Sequence, residues 1–277
     1  MRIFLLLVLF FVAACLIAGP DGVEFHANLR SRVQPFKNSD AWQAVTIQGK
    51  FATSTSALVI CDMWDKHWCG GATRRVEDIA RRMDPLLKQA RAAGILVIHS
   101  PSDTITFYQD RPQRKLVLQA PRVQPPPELS ISDPPLPIDD SDGGCDTPGD
   151  HEHQAWKSEN PILSIGPNDA ISDNGEEIYS LLHQKGIHTL FVMGVHANMC
   201  ILNRTFAIRQ MSKWGIRCVL VRDLTDAMYN PARRPFVSHA AGTELVIEHI
   251  EKYWCPSILS ADLMAAITGA AGAGGGK

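Results

Sequence analysis

Short, wholly apolar runs alternate with amphipathic stretches along most of this chain. The first run is Ala57-Leu58-Val59-Ile60, inside a segment spanning 56–63. Consecutive apolar residues need cover on both sides, which is the pattern of a strand within a parallel sheet. From Ala72 to Gly94 the period changes: Val76, Ile79, Ala80, Met83, Leu86, Leu87 and Ala90 recur at helical spacing, and Gly94 offers the residue on which helices commonly end. A strand over 95–99 follows.

Periodicity then lapses over 101–161, a stretch broken by Pro125-Pro126-Pro127, by Pro134-Pro135 and by the acidic turn Asp139-Asp140-Ser141-Asp142-Gly143-Gly144. So long an irregular segment inside a compact domain points to a functional covering insertion. Phe107, Tyr108 and Trp156 are its candidate anchors. Regularity resumes with a strand over 162–165, a helix over 175–185, a strand over 189–195, a helix over 199–214, a strand over 217–222 and a last helix over 238–253. This alternation predicts an α/β fold: a doubly wound, mainly parallel sheet with helices on both faces, binding its ligand at the carboxyl ends of the strands. The domain runs over 56–255. Residues 20–55 are mixed and turn-rich and read as an extension wrapped on it, and 256–277, Ala/Gly-rich after Ala265, as a flexible tail.

The apolar run from Ile3 to Ala18 behind Arg2 has the length of a signal h-region rather than of a membrane span. Export is the expectation for 1–19. Val12-Ala13-Ala14-Cys15 also resembles a lipobox, which would make Cys15 a lipid anchor; cleavage as an ordinary signal peptide stands beside it. The protein would then be periplasmic, extracellular or held at a membrane surface. A formal charge of -2 with interspersed signs argues against nucleic acid as a partner and leaves a small molecule. The oligomeric state stays open, a homo-oligomer included. No G-x-G-x-x-G follows the first strand, which removes a dinucleotide-dependent oxidoreductase.

Two residues at strand ends could do chemistry together. Asp62 closes the first strand, and Cys200 follows the fourth at a predicted helix start, where unpaired N–H groups and the helix dipole favour a thiolate. The backbone N–H groups of Met199 and Cys200 would stabilise an oxyanion, and Asp62 would take the thiol proton and return it to the leaving group. Cys61 and Cys218 fall on strand positions and read as core.

Three runs resemble the isochorismatase and nicotinamidase-related cysteine hydrolase superfamily. They are Ala57-Leu58-Val59-Ile60-Cys61-Asp62-Met63-Trp64-Asp65, Val192-Met193-Gly194-Val195-His196-Ala197-Asn198-Met199-Cys200, and Val219-Leu220-Val221-Arg222-Asp223-Leu224-Thr225-Asp226-Ala227. The resemblance implies an isochorismatase-like sheet, Asp62 and Cys200 as the catalytic pair, and a cis peptide between Val195 and His196. A third family residue, a lysine, is missing, because Gly166 stands at its place. Lys157 or Lys66 is left to supply the cation from elsewhere. Nicotinamidase-like members carry a metal, for which His99, Asp103, His151 and His153 are the nearby candidates, though no cofactor is required. Trp64, Trp68, His196 and Asn198 would line the substrate pocket. Isochorismatases proper need no cysteine nucleophile, so Cys200 favours an amidase acting through a thioester. A fold-retaining, non-catalytic binding protein is the competing reading.

Cys69 and Cys145 each lie in a Gly-flanked loop expected near this edge, and in an oxidising compartment they could bridge. Free thiols, or pairing with Cys255, remain open.

Overall fold

The structure is a computed structural model and describes residues 22–37 and 39–274. The expected leader over 1–19 and the anchor at Cys15 lie outside the described residues.

The segment read as an unpatterned extension is part of the sheet. Strand β1 (Glu24–Val33) pairs antiparallel with β2 (Gln43–Ala52) from Glu24↔Ala52 to Val33↔Gln43. Phe25, Ala27 and Leu29 are buried while their neighbours Glu24, His26 and Asn28 are exposed, the two-residue period of a half-buried strand. Phe25 stacks on Phe51 and Phe191, which docks the hairpin on the domain.

The domain follows as β3 (Ser56–Cys61), α1 (Gly70–Ala92), β4 (Leu96–Ser100), α2 (Pro112–Leu118), β5 (Ala170–Ile171), α3 (Gly175–Gln184), β6 (Thr189–Val195), α4 (Cys200–Asn203), α5 (Ile208–Lys213), β7 (Arg217–Asp226), α6 (His239–Tyr253), β8 (Ser257–Ile258) and α7 (Ser260–Gly274). The sheet order is β2-β1-β8-β7-β6-β3-β4-β5, with every pair from β8 to β5 parallel. Residues of β3 alternate between two cores: Ala57, Val59 and Cys61 face the side covered by α3, α5 and α6, and Leu58 and Ile60 face α1 and α7. The chain leaves β3 for β4 on one side and later returns through β6 on the other. The crevice between the carboxyl ends of β3 and β6 is therefore the topological switch point, where such sheets bind ligands.

Three expected elements differ. No strand forms over 162–165, because the Ser164 backbone is held by side chains, its N–H donating to Asp84 Oδ1 at 2.8 Å and its carbonyl accepting from Arg91. The short third parallel strand is β5. The single helix expected over 199–214 is two: Arg204 leaves helical geometry at ψ 146°, and Phe206 drops into the core between α4 and α5. The flexible tail is in fact β8 and α7, whose Leu263 and Ile267 are fully buried against the α1 side of the sheet.

The insertion is ordered over the carboxyl edge. Trp156 stacks on Trp64 with centroids 4.1 Å apart, and Tyr108 is buried with its hydroxyl accepting the Glu159 N–H at 2.8 Å. Phe107 is no anchor, being 62% exposed. Cys69 and Cys145 are bridged, with Cα atoms 5.7 Å apart, which ties the insertion to the start of α1. Cys61, Cys200, Cys218 and Cys255 are free.

Candidate active site

Asp62 follows β3 directly, with a left-handed φ of 48° that aspartate tolerates better than most residues. Its carboxylate is fully buried. One oxygen, Oδ1, accepts the Ser102 backbone N–H at 2.7 Å. At the end of β6, Gly194 adopts φ 113°, and a Cβ there would lie 2.1 Å from the Cys61 carbonyl oxygen. Only glycine allows the two strand ends to approach this closely. The Val195–His196 peptide is cis, as the resemblance implied. The turn then delivers Cys200, half-buried, whose sulfur lies close enough to Asp62 for the carboxylate charge to act on it.

The cation at this site is one the sequence reading missed. Arg204 donates from Nε to Asp62 Oδ2 at 2.9 Å and from Nη2 to Asp103 Oδ2 at 3.1 Å. It reaches Asp62 because α4 ends after a single turn. Lys66 and Lys157 are both exposed, and among the described residues neither forms an ion pair with Asp62. Lys157 contributes only its backbone N–H, to Asp65 at 2.9 Å. The signal available in the sequence was the spacing Cys200-x-x-x-Arg204, which one helical turn brings to the same face.

No protein-family model and no curated protein matches this sequence. Among solved structures, a cysteine hydrolase from Pseudomonas syringae pv. phaseolicola 1448A aligns with a TM-score of 0.52 at 19% identity, over 79% of this chain and 95% of that one. The chain has the isochorismatase-like fold. An isochorismatase family protein from Burkholderia thailandensis aligns at 19% identity and TM-score 0.45, over 78% of this chain and 96% of its own. An isochorismatase from Pseudomonas putida KT2440 does so at 15% and 0.46, over 76% and 90%.

Within this isochorismatase-like crevice the resting cysteine is a thiol. Burial pushes the Cys200 thiol well above its ordinary range and the Asp62 charge pushes it further, while Arg204 and the His196 backbone N–H oppose them without reversing the shift. The preformed thiolate expected from the helix dipole is thus corrected: α4 is one turn long and a buried carboxylate lies beside the sulfur. Burial also raises Asp62, against the opposing pull of Arg204, Cys200 and Ser102. The arrangement sets a protonated thiol beside the carboxylate that can serve as its base.

Of the expected oxyanion donors, the Met199 N–H is spent on the His196 carbonyl at 3.0 Å. The Cys200 N–H has no hydrogen-bond partner among the described residues. Asn198 is not a substrate ligand, because its amide is fully engaged, donating to Asp140 Oδ2 at 2.7 Å and to the Met228 carbonyl, and accepting the Met228 N–H. Trp64 is committed to the Trp156 stack and donates Nε1–H to the Ser102 carbonyl at 3.0 Å. Trp68 packs with Cys69 and Met228 beneath the disulfide loop. His196 is buried with Nε2 unpartnered, edge-on to His67 at 5.0 Å. Burial holds both rings neutral, His67 down to about 4 and His196 to about 3.

The proposed metal set does not assemble. His99 is fully buried with both ring nitrogens occupied, Nδ1 by Glu159 at 2.7 Å and Nε2 by Asp169 at 3.0 Å. Asp103 pairs with Arg204, and His151 and His153 are exposed on the insertion.

Proposed function

We propose that this chain is a hydrolase that cleaves a small amide-like substrate through a thioester on Cys200. The observation supporting it is the convergence of Asp62, at the end of β3, and Cys200, past the cis turn after β6, with Arg204 on the same carboxylate at the switch point of the sheet. As the sulfur attacks the carbonyl carbon, the thiol proton passes to Asp62. The Cys200 backbone N–H meets the oxygen on which charge develops. Asp62 then returns the proton to the departing amine, and the C–N bond breaks to leave a thioester. Water attacks the thioester and gives one proton to Asp62. Collapse expels sulfur, which takes that proton back, and the free acid leaves. Arg204 keeps Asp62 ionised between steps, so each transfer has a ready acceptor. This route draws on no cofactor.

Export belongs to the same proposal. A leader over 1–19 suits a protein whose insertion is fixed by the Cys69–Cys145 bridge, a bond that persists in oxidising compartments.

A panel of small amides assayed with wild type and Cys200→Ala tests the reading. Turnover confined to wild type, with a mass adduct on Cys200, is the expected result. Amides that bind but are never cleaved would make the chain a binding protein, and undiminished turnover in Cys200→Ala would assign the chemistry elsewhere.

A further inference from the structure

We infer that Arg204 also selects the substrate: the site takes an amide that carries a carboxylate close to the scissile carbonyl, and that carboxylate takes the place of Asp103 on Arg204. The inference rests on the amidase reading above. Its basis is how Arg204 divides its bonds. Nε serves Asp62, which is fully buried, whereas Nη2 serves Asp103, whose side chain is 50% exposed. Asp103 sits on the loop after β4, itself in a left-handed conformation at φ 63°. The Arg204 side chain is 32% exposed, and Nη1 donates to no group among the described residues.

A guanidinium offers a planar fork of donors that matches a carboxylate in two-point contact. Here one edge is fixed by Asp62, and the outer edge carries an exposed acid on Nη2 and an Nη1 group with no partner among the described residues. Exposed ion pairs are weakly held, so Asp103 can be displaced while the buried pair stays. The charge count admits an anionic ligand, because a substrate carboxylate that replaces Asp103 leaves the net charge around Arg204 unchanged. Arg204 also lies close enough to Cys200 for its charge to act on the sulfur, so the carboxylate it binds must be a few bonds from the carbon under attack.

Two alkylating reagents that differ only in charge test this. Iodoacetate carries a carboxylate beside its reactive carbon and iodoacetamide carries an amide. Their rates at Cys200 are measured by peptide mass mapping of the full folded chain, with the denatured chain as reference. The raised thiol slows both reagents equally and cancels in their ratio. The iodoacetate to iodoacetamide ratio should exceed the denatured reference by about tenfold, the worth of one charge-assisted contact. Iodoacetate rates should saturate with concentration, and acetate should protect. Asp103→Asn should raise the ratio further, and both Arg204→Met and Arg204→Lys should lower it. A folded ratio equal to the reference, or an equal change for both reagents in every variant, overturns the inference and leaves the amidase reading standing. No reaction at Cys200 with either reagent removes the nucleophile itself, and both fall together.

Discussion

Arg204 Nε and Asp62 Oδ2 lie 2.9 Å apart across the crevice between β3 and β6, joining residues 142 positions apart in sequence. Arg204 is partly in water and Asp62 is not, so deleting the cation strands a buried carboxylate. Arg204→Ala should cost about 3 kcal/mol, the lower end for breaking a buried pair because one partner is partly solvated. Urea unfolding measures it. Arg204→Lys should recover part of the loss, and Ala and Lys variants of equal stability would show that the pair holds nothing together.

Asp62→Asn separates the base from the nucleophile. Asp62 raises the Cys200 thiol by its charge, and Arg204 would remain to pull the thiol down. Removing the carboxylate should therefore make Cys200 alkylate faster by iodoacetamide at neutral pH than in wild type. Amide turnover should fall by 10²-fold or more, roughly the worth of a general base. A variant that loses both reactivities together would mean that Asp62 acts only by holding the fold.

Most of the sheet was legible because β3, β6 and β7 are apolar runs buried on both faces, and the pairing of Asp62 with Cys200 followed from strand ends alone. The misses share a cause. The hairpin over 24–52 shows its alternation at Phe25, Ala27 and Leu29, but polar residues between them read as loop. Leu263 and Ile267 carry α7, whose Ala/Gly-rich end hides that face. Arg204 was missed because the resemblance implies a lysine, so the arginine one helical turn past Cys200 was not weighed as the cation; its final position also depends on the break between α4 and α5, where Phe206 packs into the core. His99 looked like a ligand, and only the fold shows the two carboxylates that close on it.

The Cys69–Cys145 bridge closes a loop across 76 positions. By the chain-entropy model this constrains the unfolded chain by about 4 kcal/mol. Reduction, or Cys69→Ala with Cys145→Ala, should lower the unfolding midpoint accordingly. Because the bridge ties the insertion to α1, proteolysis over 139–150 should also quicken well before global unfolding. Identical cleavage of oxidised and reduced protein would show that the insertion is held by its other contacts alone.

Stability should also depend on pH through His99, which sits fully buried in β4 between Glu159 and Asp169. Burial alone would push its pKa down, but Glu159 and then Asp169 overcome this and hold it up at about 9. An unfolded histidine titrates near 6.5. The folded state therefore binds this proton more tightly, so the stability it contributes is complete below about pH 6.5 and is lost as pH rises through about 9. The amount is on the order of 3 kcal/mol. His239, also raised by its bond to Asp226, acts in the same direction, so the His99 share is read as the difference between wild type and His99→Asn in a His239→Asn background. Urea midpoints should fall between about pH 6.5 and 9.5 with His99 present and stay nearly level without it. The loss should appear first at the insertion, since Glu159 anchors its return to the sheet and the Asn160 N–H donates to the Met63 carbonyl beside it at 2.7 Å. An unchanged slope in His99→Asn would mean that the histidine is neutral in the fold and that the two carboxylates are held by Arg91 and other donors instead.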